Sequence, residues 1–486
     1  MKKIDRRKFI KNFIIGNVSI IAGYNLFTSC SEVFKGEIIG DPITEEEKKI
    51  IVNTLKYVPI QTNNPSLTRW ANECERCRKC VEACTTRQLV YGTYQATETK
   101  HVCIHCGTCL KRCEEHAITE KYNWQEVLAA IDNPSKVVIA SISPAVRVGI
   151  GDYFGFETGS FLVSNLIGAC RKLGFDYVLD TNFSADLTIM EEAAELQKRV
   201  TDGSFLPQFT SCCPAWVKYV EIYYPSLLKH ISTVKSPISM QGSIVKSYFA
   251  TKKGLDPNNI VHVAITPCTA KKYEITRDEL GVDGLKTTDY VITTNELAKM
   301  LKNRSVTIAS QTGTFDNLMG KASGAGIIFG NTGGVTKAAL RTAYFNLTGS
   351  NPPSNLIDLT QVNGMVGMKS ADVLIGSTTL KVAVCYEMRN AKMLLDQVMS
   401  GTCKYHFVEV MACEGGCVGG AGQPAGSSTV LKRINSLNAA DVQASTRFCH
   451  ENPEIKLLYN DFLGQVGGAK AKKYLHTSYN NKSGLL

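Results

Sequence analysis

The stretch FTSCCPAWV, Phe209 to Val217, sets two cysteines side by side and follows them with proline and tryptophan. The geometry of a disulfide disfavours pairing between neighbours, and two thiols in series fill a core poorly. The pair is therefore expected to do two different jobs, and the other cysteines decide which. There are 18 of them in 486 residues, and most fall in tight runs spaced by two or three residues rather than scattered as in a short secreted disulfide scaffold. That pattern indicates metal.

The bulk of the chain, 44% hydrophobic and 20% charged, is ordinary for a soluble globular protein of two to four domains, and excludes disorder and a polytopic membrane protein. The net charge of +10 is uneven: Lys2, Lys3, Arg6, Arg7, Lys8 and Lys11 against Asp5 carry half of it, so a nucleic-acid partner has little support. Residues 1–30 begin with this basic stretch, continue with an apolar run from Phe13 to Phe27 broken by Asn17, Ser19 and Asn25, and end at Cys30. The run is shorter than the roughly 20 residues of a spanning helix. It resembles an export leader, and DRRKFIK, Asp5 to Lys11, resembles a twin-arginine motif, the signal of a route that carries folded proteins. LFTSC resembles a lipoprotein processing site, which would make Cys30 a lipid anchor; the alternative is an ordinary thiol. The expectation is an exported protein, periplasmic or membrane-associated outside the cytoplasm. Residues 31–65 read as a polar linker leading to a short helical segment.

CERCRKCVEAC supplies Cys74, Cys77, Cys80 and Cys84, and CIHCGTCLKRC supplies Cys103, Cys106, Cys109 and Cys113. Both follow C-x2-C-x2-C-x3-C, in which a tight loop points three thiolates at one cubane while the fourth reaches the neighbouring cluster. The expected sets are Cys74, Cys77, Cys80 and Cys113 for one [4Fe–4S] cluster, and Cys103, Cys106, Cys109 and Cys84 for the other. Thr85 and Glu114 stand where a proline usually follows the fourth cysteine. Zinc is the competing reading, and two copies with an offset fourth ligand suit tetrahedral sites poorly. Residues 66–120 are thus expected to form an α+β ferredoxin-like domain that moves single electrons.

From residue 135 the texture is α/β. SKVVIASISPAV, NIVHVAITPC and LKVAVCYEM read as buried strands, and LTIMEEAAELQKRV as a helix between them. Cysteines sit at strand ends: Cys212 and Cys213 in TSCCPAW, Cys268 in TPCTAKKYE, Cys413 and Cys417 in EVMACEGGCVGGAGQP. These three segments, in this order, resemble the fingerprint motifs of [FeFe]-hydrogenases, and the likeness extends over roughly residues 65 to 480 through DLTIMEEAAEL, GAGIIFGNTGGVTKAALRTA and NPEIKLLYNDFLG. The resemblance implies a two-lobed, mixed-sheet catalytic domain over 135–425 and a small-subunit-like region over 426–486. It also implies an H-cluster, a cubane held by Cys213, Cys268, Cys413 and Cys417, with Cys417 bridging to a diiron subsite that bears CO, cyanide and azadithiolate. Gly415, Gly416, Gly419, Gly420 and Gly422 are expected to let backbone pass close to that cofactor.

The adjacent pair then separates. Cys213 binds the cubane, and Cys212, by resemblance, relays protons along Glu192, Ser232, Glu195 and the surface near Arg199; Glu192 and Glu195 share one helix face. Lys271 is expected to donate to cyanide with Glu274 orienting it, Met411 to pack on the diiron subsite, and Ser143, Pro144 and Phe329 to line the cofactor. Thr266, Ala215 and the Ser143 to Ala145 loop depart from the family pattern. Cys170, Cys385, Cys403 and Cys449 read as buried apolar thiols. The resemblance implies an oxidoreductase of hydrogen, with H2, protons, an electron carrier (ferredoxin, cytochrome or membrane redox protein) and maturation proteins as partners. Two other readings exist on the same fold: a non-catalytic iron–sulfur assembly protein, whose relatives lack parts of the three motifs, and a hydrogen sensor, which usually carries an added signalling domain.

Overall fold

Short β-branched runs bounded by Gly, Pro and polar residues become strands, and two large sheets and one two-stranded pair result among the described residues. The computed structural model describes residues 63–90, 102–362 and 365–486; the leader, Cys30 and the linker up to residue 62 lie outside the described residues. The strands are β1 (Leu67–Arg69), β2 (Ile118–Glu120), β3 (Val137–Ile142), β4 (Tyr177–Asp180), β5 (Gln208–Phe209), β6 (Ile260–Thr266), β7 (Tyr290–Thr293), β8 (Thr360–Gln361), β9 (Met368–Ile375), β10 (Thr378–Tyr386) and β11 (Phe407–Met411). One sheet runs β4-β3-β6-β7, all parallel. The other runs β5-β11-β10-β9-β8, parallel through β10 and antiparallel beyond it.

Both faces of the parallel sheet are covered, so its strands read as near-continuous apolar runs. Val138, Ala140 and Ile142 enter one core with Val178, Val263, Ile265 and Ile292, while Ile139 turns to the opposite face with Leu179 and Ile260.

The segment that carries the two four-cysteine runs is small. The antiparallel pair β1 and β2, with Arg69 opposite Ile118, flanks the short helices α1 (Lys79–Glu82) and α2 (Thr108–Lys111). Val90, Val102 and Ile104 bury themselves in the core of the mixed sheet beside Phe209, Trp216 and Ala412. Gln88 Nε2 donates to the Ala412 carbonyl at 3.1 Å, Lys111 Nζ to that of Gly419 at 2.8 Å, and Thr269 Oγ1 to that of His105 at 2.8 Å. The module is therefore tied to the loops that carry Cys413 and Cys268.

The two sheets are joined by α3 (Thr181–Asp202), 22 residues long. The Asp180 carboxylate, last in β4, caps it by accepting the Asn182 N–H at 2.7 Å, and also pairs with buried Arg147. The first half of α3 buries Phe183 and Leu187 against the parallel sheet, and the second half buries Ala193 and Leu196 against Val373, Leu380 and Phe407 of the mixed sheet. Further along, α8 (Ala469–Leu475) adds Tyr474 and Leu475 to the core shared with α3, and the Tyr479 O–H donates to the Ser232 carbonyl at 2.7 Å. Between α3 and α8 lie α4 (Pro214–Tyr223), α5 (Ala270–Glu274), α6 (Gly334–Thr348) and α7 (Ser427–Gln443). No helix among the described residues is long and apolar enough to cross a membrane.

Trp216 shows how the opening motif is held. It is fully buried on α4, tilted against Phe209, and its Nε1–H donates to the Thr210 carbonyl at 3.0 Å, closing the loop that contains both cysteines. Trp216→Phe, which keeps most of the packing but drops that bond, is expected to cost about 1 kcal/mol, and Trp216→Ala about 3–5 kcal/mol. Thermal unfolding of the iron-free protein would rank the two.

Candidate iron–sulfur active site

The two four-cysteine runs fold alike. In the first, Arg76 and Arg78 take positive φ of 61° and 62°; in the second, His105 and Gly107 do so at 62° and 72°. These are the same positions of the repeat, and three of the four carry side chains that resist the conformation, so the turns are over-determined by what surrounds them. Cys80 and Cys109 are buried on α1 and α2 and pack with Cys84 and Cys113 against Leu67 and Ile118. Cys84 and Cys106 also reach the core of the mixed sheet, where Cys213 and Cys268 lie. Arg69, which sequence reasoning passed over, donates from Nη2 to Cys74 Sγ at 2.7 Å and from Nη1 to Cys80 Sγ at 3.7 Å. Among the described residues no three His, Cys, Asp or Glu side chains close in on a single-ion site. A four-iron cluster asks for a wider ring of thiolates than one ion does.

Three loops leave the carboxyl ends of β5, β6 and β11 and converge. Cys213, Cys268, Cys413 and Cys417 keep accessible surface, yet each thiol is enclosed by protein, so that surface faces an internal space. Burial, reinforced by the neighbouring cysteines, pushes the Cys268 thiol up to about 12 and that of Cys413 well above the ordinary range. Thiols in this state become thiolates when a cluster takes the place of their protons, and four of them around one space fit a cubane. Cys106, pushed up to about 11 mainly by burial, lies close enough to Cys213 to feel its charge.

Two glycines of the last loop also answer to a constraint within the protein. A Cβ on Gly416, whose φ is 89°, would lie 2.6 Å from the Thr332 nitrogen, and one on Gly420 would lie 2.3 Å from the Pro267 carbonyl oxygen. What Gly416 and Gly420 admit is neighbouring protein backbone, which lets the last loop lie against the segment before α6 and against the loop after β6.

Beside this cradle, Lys271 Nζ donates to the Cys212 carbonyl at 3.0 Å and to Glu274 at 2.7 Å, and Glu274 accepts from Ser236 and Ser239. Burial pulls the Lys271 pKa down, but Glu274 more than offsets it, so the ammonium is held above the ordinary lysine value. Cys212 is buried with Phe329 and Met411 in an apolar cluster, and burial pushes its thiol well up, so it stays protonated in the iron-free protein. Ser143 and Pro144 are buried where β3 ends, next to Ala145 and Val148, which pack on Cys417.

Glu192 is 1% exposed, and neither carboxyl oxygen makes a hydrogen bond of good geometry within the protein, the Ser232 hydroxyl being within reach but given to Glu195; burial first, then Glu195, pushes its pKa well above the carboxylate range. An unpartnered buried carboxyl of this kind is held protonated and fits a site that passes protons. Ser232 Oγ donates to Glu195 Oε2 at 2.9 Å, and Arg199 pairs with Glu195 Oε1 at 2.5 Å. The expected surface terminus at Arg199 is corrected: the residue is buried, and its guanidinium also donates to the carbonyls of Phe205, Lys229, His230 and Ile231. It clamps the chain rather than opening it to water. Cys170, Cys385 and Cys449 are buried as expected, whereas Cys403 is half-buried and lines an open cleft of about 410 Å³ with Lys229, His230 and Met399.

Two further residues escaped sequence reasoning. Buried Glu387 takes a positive φ of 65°, pairs with Arg87 of the small module at 2.8 Å and with Arg389 at 2.7 Å, and gives its own N–H to the Met411 carbonyl. Glu409 accepts the N–H groups of Gly333 and Thr336 at the start of α6, and burial lifts its pKa to about 7. A lone glutamate in a strand, or just after one, carries no sequence signal for either role.

Residues 136–421 match the iron only hydrogenase large subunit, C-terminal domain, and residues 427–482 the iron hydrogenase small subunit. The chain belongs to the iron-only hydrogenase family. The hydrogenase is 38% identical to iron hydrogenase 1 of Clostridium pasteurianum over 86% of its own length and 77% of that protein's. It is 44% identical to the periplasmic [Fe] hydrogenase large subunit of Nitratidesulfovibrio vulgaris over 66% and 84%. Among solved structures, an [FeFe]-hydrogenase from Chlamydomonas reinhardtii superposes with a TM-score of 0.67 at 41% identity, covering 74% of this chain and 98% of that one. A more distant relative, the cytosolic Fe-S cluster assembly factor narfl of Xenopus tropicalis, is 32% identical over 79% of this chain and 84% of its own. The family's cofactors are the H-cluster and accessory iron–sulfur clusters.

Gly416→Ala is expected to spring the last loop from the segment before α6 while leaving the small module intact. Iron analysis and electron paramagnetic resonance after reconstitution would then find two clusters per chain where the unaltered protein holds three.

Proposed function

We propose that this hydrogenase catalyses H2 ⇌ 2H+ + 2e−, with two electrons passed singly to an external carrier. Cys213, Cys268, Cys413 and Cys417 would hold the H-cluster. Cys74, Cys77, Cys80 and Cys113 would hold one accessory cluster, and Cys103, Cys106, Cys109 and Cys84 the other. The nearness of Cys106 to Cys213 supports an electron route that ends at the H-cluster. When bound, the H-cluster supplies the making and breaking of the H–H bond.

The chain's own residues do the rest. Phe329 and Met411 keep water from the space beside Cys212. Lys271, fixed by Glu274, presents a positive charge there, which suits a cyanide ligand. Cys212 holds a proton as a neutral thiol, Glu192 receives it, and Ser232 and Glu195 carry it outward. The observation that carries this reading is the unpartnered Glu192 carboxyl, buried between a thiol at the cradle and a hydrogen-bonded pair leading out. An assembly factor on this fold has clusters to hold but no proton to move, so the second reading leaves that arrangement without a use.

The proposed organisation is a leader over 1–30, a linker over 31–65, the ferredoxin-like module over 66–120, the catalytic domain over 135–425 and a small-subunit-like region over 426–486. The leader supports export, with lipid attachment at Cys30 and oxidation of hydrogen toward an extracytoplasmic carrier as its consequences.

Infrared spectra of matured protein under argon and under hydrogen test the activity. Sharp bands of iron-bound CO and cyanide that shift with hydrogen are expected. A fully iron-loaded, verified matured sample without such bands would return the protein to the iron–sulfur carriers.

A further inference from the structure

A proton that has reached Glu195 needs a way onward, and Arg199 does not provide it. A guanidinium does not release a proton at working pH, and this one is buried with its N–H groups committed to Glu195 and four carbonyls. A different link leaves Glu195. Thr233, exposed, donates its hydroxyl to Glu195 Oε2 at 3.3 Å, and Thr233 Oγ1 itself lies 2.7 Å from His476 Nδ1. The other ring nitrogen, Nε2, is 2.9 Å from Glu191 Oε2.

The partners set the ring's chemistry. Glu191 is buried and already accepts from the Tyr459 O–H and the Gly467 N–H, so Nε2 is the donor on that side. Nδ1 is left to meet one rotatable hydroxyl. In one arrangement Nδ1–H donates to Thr233 Oγ1, and the Thr233 hydroxyl donates to an ionised Glu195. In the other, a protonated Glu195 donates to Thr233, whose hydroxyl turns to a bare Nδ1. The two differ by a concerted shift of two protons along the chain, and the net result is one proton moved between Glu195 and the imidazole. Imidazole is the side chain whose ordinary charge change lies nearest neutrality, so it can load and unload in either direction.

The ring is held for this. His476 sits just after α8, its backbone is bridged to Val234, and the flanking bonds Lys235 N–H to the Leu475 carbonyl and Thr477 N–H to the Thr233 carbonyl, each 2.8 Å, fix it opposite Thr233. Its side chain is 12% exposed. The charged groups facing it are Glu191 and Glu195 from α3, with Arg199 behind Glu195; Lys472 and Lys473 lie on its own helix, Lys473 paired with Asp283. Tyr459 reaches it only through Glu191.

We propose that His476, linked through the Thr233 hydroxyl to Glu195, is the proton-relay residue at which the route meets solvent. The proposal rests on the hydrogenase reading above.

Two measurements test it. In the iron-free protein, with the eight histidine rings labelled with nitrogen-15 and the His476 signals assigned by their loss in His476→Gln, the ring's titration is followed by nuclear magnetic resonance. Thr233→Val and Glu195→Gln should each shift that titration; an unchanged curve in both would overturn the link. In matured enzyme, His476→Ala and Thr233→Val should slow dye-coupled turnover about tenfold or more at unchanged iron content and infrared bands, and added imidazole should restore His476→Ala. Wild-type rate and pH profile in Thr233→Val would overturn the relay. If the histidine variants do not load iron, Thr233→Val, one hydroxyl removed at an exposed position, carries the test. A wild-type enzyme with neither bands nor turnover would instead defeat the hydrogenase reading, and the resonance experiment would still decide the link.

Discussion

Everything in this molecule depends on bringing sulfur atoms from three separate strand ends to one enclosed space. The loop after β11 meets the loop after β6 and the segment before α6 backbone to backbone, and that contact leaves no room for side chains. The Pro267 carbonyl accepts the Gly422 N–H at 2.8 Å, and Gly416 lies against the backbone of Asn331 and Thr332. These contacts satisfy polar groups that burial would otherwise leave unpaired. The two sheets, the helix α3 and the buried Trp216 are the frame that keeps the loops in reach of one another.

Charge follows the same plan. Each set of cysteines has a cation at hand: Arg69 on Cys74 and Cys80, Lys271 at Cys212, and Lys111 near Cys413. A fourth cation, Lys218, is buried against His105 at 2.9 Å and over the ring of Tyr273, within the field of Cys103. Thiolate-bound clusters carry negative charge into a low-dielectric interior, and buried ammonium and guanidinium groups offset part of that cost. Pairing works in reverse as well, since Glu274 keeps Lys271 charged where burial alone would not.

The helix α3 carries the carboxyl groups on which the proposed proton route rests. Its two halves belong to different sheets, so residues at its middle, Glu191, Glu192 and Glu195, sit where the lobes meet and where interior gives way to surface. Glu192 faces inward without a partner, Glu195 is met by Ser232, Thr233 and Arg199, and Glu191 is held by Tyr459 and His476. One continuous helix thus presents three carboxyl groups to three environments, and environment is what separates their duties.

The cysteine spacing, the strand-like runs and the loop motifs were legible in the sequence because they are local: a ligand loop needs its cysteines at set intervals, and a buried strand needs an unbroken apolar run. The start of α3 was less so, since TNFSAD reads as polar until Asp180 is seen to cap it. The role of the glycines, the burial of Arg199, the half-exposure of Cys403 and the strained pairing of Glu387 with Arg87 were not legible at all. Each depends on partners far away in the chain, as Arg87 is from Glu387 and Thr233 from His476. The sequence by itself determined which chemistry the chain carries, because metal ligation is written in residue type and short spacing. Only the tertiary structure decided which groups are paired, buried or in contact with solvent, because those properties are created when distant segments pack and exclude water.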